Sequence, residues 1–200
     1  MKIPTLPVRL VALITAAGLA SASAQNVFYT ASLSGPNESP VNASPGTGFS
    51  TIVYNATTHI LSLTVTFAGL IGSTTASHLH AATAVPFAGT AAVATTVPAF
   101  AGFPLGVKSG TYFTSLDLTQ SSSWNPTFIT ANGGTTAGAE AALITAINQG
   151  RSYLNIHTDA FPGGEIRGFV VPAPDSGSTF ALMLLGACGL ALGARRLRRA

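Results

Sequence analysis

Hydrophobic and polar positions alternate with a period of two along much of this chain. Between Ile60 and Phe67, the residues Leu61, Leu63, Val65 and Phe67 fall on one face and Ser62, Thr64 and Thr66 on the other. That is the pattern of a strand half buried in an antiparallel sheet. Shorter runs predict further strands at 27–33, 48–54, 77–82, 91–97, 110–116, 153–158 and 165–171. Turn-forming stretches such as Ser34-Gly35-Pro36-Asn37 and Pro162-Gly163-Gly164 separate them. The set predicts an all-β fold of about seven or eight strands, an antiparallel β-sandwich or a Greek-key barrel. One segment has a different period. Leu143, Ile144 and Ile147 fit a short helix over 136–149, with Gly150 as its C-terminal cap. The stretch 84–106, rich in Ala, Thr, Pro and Phe, reads partly as loop.

The two ends break the alternation. Lys2 and Arg9 precede an apolar run from Leu10 to Ala20 and then Ser21-Ala22-Ser23-Ala24. This is the three-part pattern of a secretory signal helix, cleaved by signal peptidase between Ala24 and Gln25. At the other end, Pro174-Asp175-Ser176-Gly177 leads into an uncharged segment of 18 residues, 177–194, followed by Arg195, Arg196, Arg198 and Arg199. A helix of that length spans a bilayer, and the arginines hold its end in the cytoplasm. The chain thus divides into a signal peptide (1–24), a β domain (27–171) and a tail (172–200). The tail resembles bacterial C-terminal sorting signals of the PEP-CTERM class, closest to the variant with a V-P-D-S-G motif. That resemblance implies cleavage by an exosortase-type membrane protease and a place at the cell surface, or outside the cell, of a diderm bacterium. A permanent single-span anchor is the alternative.

Charge and cysteine content change the picture further. Only 8% of residues are charged, against roughly 25% in an ordinary soluble domain. The formal net charge of +3 is made by the ends. Lys108, Arg151 and Arg167 against Glu38, Asp117, Glu140, Asp159 and Glu165 leave the body at 3 − 5 = −2. A weakly acidic body without basic clusters has no electrostatic footprint for nucleic acid. The single cysteine, Cys188, lies in the tail, so the body holds together by its core and not by disulfides.

Candidate chemistry is concentrated in Ser77-His78-Leu79-His80 and in the run from Tyr153 to Gly168. On extended strands His78 and His80 share a face, as do Tyr153, Asn155 and His157, while Leu154 and Ile156 face the core. Three imidazoles with Asp159 just beyond make a plausible ligand set for zinc or copper. The competing reading is a hydrogen-bonded polar patch without a metal. Glu165 and Arg167, two residues apart on one strand face, are read as a structural ion pair, with Arg167 also able to clamp Asp159. His59, in a polar turn, is read as solvated. There is no G-x-S-x-G elbow, phosphate-cradling loop or defensible pair of glycosidase acids, so no catalytic residue is assigned.

The body resembles the CHRD domain, found in chordin and in many secreted bacterial proteins. The resemblance is carried by Leu33-Ser34-Gly35-Pro36-Asn37-Glu38-Ser39-Pro40-Val41, by Gly46-Thr47-Gly48, by His78-Leu79-His80, by the run from Gly150 to Thr158 and by Pro162-Gly163-Gly164-Glu165-Ile166-Arg167-Gly168. It implies an all-β extracellular module, here a non-enzymatic binding or structural protein of the cell surface or matrix. Its partners would be extracellular polysaccharide or other surface proteins. The alternative is an extracytoplasmic zinc- or copper-binding protein centred on His78, His80 and His157.

Overall fold

A computed structural model describes residues 26–173. The signal segment with Ala24 and Gln25, and the sorting motif Pro174, Asp175, Ser176 and Gly177 with the segment after it, lie outside the described residues. Among the described residues no helix is long and apolar enough to cross a membrane.

The alternating segments form β1 (Val27–Ser34), β2 (Thr47–Asn55), β3 (Ile60–Ala68), β4 (Thr74–His80), β5 (Gly110–Asp117), β6 (Tyr153–Thr158), β7 (Ile166–Phe169) and β8 (Val171–Pro172). They lie in one antiparallel sheet of order β4-β6-β7-β1-β2-β3-β5, with β8 also paired to β1. The expected sandwich or Greek-key closure is realised as a single continuous sheet curled into a half-barrel. Residues 91–97 are not a strand. Their strand-type pairings are single bridges, His80 to Val93 and Thr95 to Trp124. The Ala92 carbonyl accepts from the Ala81 amide, and the amides of Ala94 and Thr95 both point at the Leu79 carbonyl, so the segment covers the end of β4 without forming a regular ladder.

Two helices are present where one was expected. The short α1 (Pro126–Ala131) starts at Asn125, whose side chain accepts from the Thr127 amide, as N-capping asparagines do. The longer α2 (Thr136–Asn148) follows. Gly150, with φ of +66°, ends α2: its amide bonds the Ile147 carbonyl and the Arg151 amide bonds the Ala146 carbonyl, a Schellman closure. Leu143 and Ile147 are fully buried and Ile144 partly so. They join Tyr29, Ile52, Leu61, Leu63, Val65, Phe67, Leu79, Leu154 and Ile156 in one core. Burial of this size, at about 25 cal/mol per Å² of apolar surface, holds the domain without a disulfide.

The sheet has two unlike rims. The rim of β4 is covered by backbone hydrogen bonds from residues 92–95. Among the described residues, β5 pairs with no strand but β3, and apart from the Asp117 carbonyl, which accepts from Gln120 and Ser123, no other segment bonds its backbone.

Candidate metal centre

β4 and β6 pair in a register that sets His78 opposite Asn155, His80 opposite Tyr153 and Ala76 opposite His157. Leu79, Leu154 and Ile156 point into the core and are fully buried. The alternation therefore places the three imidazoles together on the other face. Their ring centroids are 5.2, 5.7 and 5.8 Å apart, a nearly equilateral triangle. Each ring brings one nitrogen to within 4.8 Å of the other two.

Two connecting segments roof this triangle and fix its protonation. The loop 81–109 brings in two carbonyls: Pro98 accepts from His78 Nε2 at 2.5 Å, and Ala91 accepts from His80 Nδ1 at 2.9 Å. The β6–β7 turn supplies a third, Pro162, which accepts from His157 Nδ1 at 2.9 Å. A carbonyl only accepts, so each of these nitrogens carries the hydrogen. The other nitrogen of each neutral ring is then a bare lone pair. His78 Nδ1, His80 Nε2 and His157 Nε2 are all buried and have no hydrogen-bond partner. Burial lowers the pKa of all three rings, and His80 falls to about 4. Repulsion from His157 adds to this at His78 and His80, and the carbonyl bonds oppose it. The rings are thus neutral at physiological pH, the form that binds metal ions.

A second row of side chains supports His80. The Tyr153 ring stacks on it at 4.7 Å and 6° from parallel, and the Tyr153 hydroxyl lies 3.3 Å from the same Ala91 carbonyl. The Arg167 guanidinium sits 4.7 Å above the Tyr153 ring. It donates to the carbonyls of Asn37 and of Gly89 and lies 3.8 Å from Glu38 Oε2. Burial pushes the Glu38 carboxyl up to about 7, against the attraction of Arg167 and a bond from the Ser39 amide. Neither Glu38 nor Tyr153 was assigned a role from the sequence. Tyr153 shares the strand face of His157 and was visible there, whereas a buried acid in a Gly-Pro-Asn-Glu turn gives no sequence signal.

Three sequence expectations are corrected here. Glu165 and Arg167 do not pair. The fully buried Glu165 carboxylate instead accepts from the Ser44 and Thr158 hydroxyls at 2.6 and 2.7 Å and from the Ile71 and Gly72 amides at 2.5 and 3.1 Å. Four donors replace a cation. Arg167 does not clamp Asp159, which accepts from the Ser73 amide at 2.8 Å and takes no place in the imidazole group. His59 is not simply solvated: its Nδ1 lies 2.9 and 3.0 Å from the two oxygens of Glu140. Tyr54 donates to the same carboxylate at 2.6 Å. Asn155 lies between His78 and Arg167 across three strands, with its Oδ1 buried and unpartnered.

The family model described as the CHRD domain matches residues 29–170. No curated protein and no solved structure matches the chain.

Proposed function

Since the chain belongs to the CHRD domain family, we propose that it is an exported, non-enzymatic binding module whose cargo is a single zinc or copper ion held by His78, His80 and His157. One observation carries this reading. All three rings spend one nitrogen on a backbone carbonyl and leave the other buried and unpartnered, and one nitrogen of each ring lies within 4.8 Å of one from each of the other two. A buried acceptor without a donor costs about 1–3 kcal/mol, and three in one place are costly unless something electron-poor joins them. The carbonyl partners are the outer contacts that fix tautomer and ring orientation in metal sites. A hydrogen-bonded patch, the competing reading, would have satisfied these nitrogens from within the chain.

Family membership supports an extracellular setting, in line with the signal pattern before Gln25. Signal peptidase and an exosortase-type enzyme are the processing partners this reading implies. Once outside, the module would sit among extracellular polysaccharide and other surface proteins. The test is elemental analysis of the purified full chain after exposure to zinc or copper and removal of excess. One equivalent, lost on His157→Ala with the circular dichroism spectrum retained, supports the assignment. Less than about a tenth of an equivalent, against the tight binding expected of a preformed site, removes it.

A further inference from the structure

The geometry points to copper(I), bound by three nitrogens and nothing else, as the ion this site prefers. The inference rests on the metal-binding reading above and adds the identity and oxidation state of the cargo.

The first ground is the donor count. Among the described residues the group holds three imidazoles and no carboxylate or thiolate. The acids nearby are otherwise engaged: Asp159 with the Ser73 amide, Glu165 with its four donors, Glu38 beside Arg167. Zinc(II) completes a tetrahedron and copper(II) a tetragonal set, so on these three imidazoles either ion would need water or another added ligand to finish its set. Copper(I), a closed-shell d10 ion, is stable with three ligands in a plane. The nearly equal centroid separations of 5.2, 5.7 and 5.8 Å suit that arrangement.

The second ground is charge. The cost of moving an ion out of water grows with the square of its charge, so a divalent ion costs about four times as much as a monovalent one of the same size. Neutral imidazoles return none of that charge. The nearest cation, Arg167, is set against Glu38, so no net negative charge is held in reserve for a second positive one. A buried, uncharged, three-nitrogen pocket lined by the Tyr153 ring therefore discriminates by valence. Ligation would run through His78 Nδ1, His80 Nε2 and His157 Nε2, the nitrogens the roof leaves free.

The experiment is competition of the purified full chain, without oxygen, for copper(I) held by bicinchoninate, beside parallel titrations with zinc(II) and copper(II) against chelators of known affinity. X-ray absorption on the copper-loaded wild type reads oxidation state and ligand number without depending on any variant. The expected result is one equivalent of copper(I) with three nitrogen neighbours, bound at least about a hundredfold more tightly than zinc(II). Equal or tighter zinc(II) or copper(II), or four or more ligands around copper, overturns this inference and leaves the metal-binding reading standing. No bound ion of any kind overturns both.

Discussion

Replacing Glu165 with glutamine tests whether a buried carboxylate held only by hydrogen bonds organises this end of the sheet. One oxygen takes the Ser44 hydroxyl and the Ile71 amide, the other the Thr158 hydroxyl and the Gly72 amide. In Glu165→Gln one oxygen becomes an NH2 group. A hydroxyl can turn to accept from it, but a backbone amide cannot, so one buried N–H is orphaned at about 1–3 kcal/mol. The surviving bonds lose the strength that the negative charge lends them, about 1 kcal/mol each. The sum is about 3–5 kcal/mol. At about 2–4 °C per kcal/mol for a domain of this size, the melting temperature should fall by about 6–20 °C. The assay is thermal and urea unfolding of the metal-free full chain followed by circular dichroism. The same network holds the Glu165 pKa below its ordinary value: burial works to raise it and the four bonds together outweigh burial. Its contribution is therefore present above the unfolded carboxyl range and is lost as pH falls through the depressed folded value. The difference between wild type and variant should shrink in acid. A variant within about 1 kcal/mol of wild type at neutral pH would refute the reasoning.

Three further outcomes are expected. With the folded pKa values of His78, His80 and His157 all lowered, the unfolded chain takes up protons first. Metal-free protein should therefore lose stability as pH falls from about 6.5 toward 4, by about 3 kcal/mol from His80 alone; urea midpoints measured across that window check this, and a flat profile contradicts it. Gly164→Ala should cost about 2–4 kcal/mol in the same unfolding assay, because φ is +131° and a Cβ would lie 2.5 Å from Asn155 Nδ2 and 2.7 Å from Glu38 Oε1. Arg167→Met should cost about 2–4 kcal/mol, mostly by leaving the carbonyls of Asn37 and Gly89 without their donor, since Glu38, pushed up to about 7, can take up a proton; a double-mutant cycle with Glu38→Gln should show a coupling below about 1.5 kcal/mol, and a larger one would contradict this.

The strands and the shared face of the histidines were legible in the sequence because both follow from a period of two. Ile60 to Phe67 is the plainest case, and Leu79, Leu154 and Ile156 give the orientation of His78, His80 and His157 by difference. What was not legible depends on partners distant along the chain. The sequence puts Glu165 two residues from Arg167 on one strand and suggests a pair. The fold gives Glu165 donors from Ser44, Ile71 and Gly72, and gives Arg167 an acid from a turn some 130 residues earlier. The segment 91–97 has strand-like composition but forms no regular ladder, because two of its amides converge on the one Leu79 carbonyl. The roof is hidden for the same reason. Nothing in the local sequence of Ala91, Pro98 or Pro162 marks their carbonyls as the groups that select a tautomer.

The unlike rims of the sheet limit how copies of the domain can associate. Continuous fibre growth by strand addition requires that each molecule offer two available edges, one to receive and one to give. Among the described residues, one edge is stoppered by its own chain and the other is bare. Any edge-to-edge pairing must join bare edge to bare edge about a two-fold axis, and once made it leaves nothing further to add to. The fold confines such self-association to pairs.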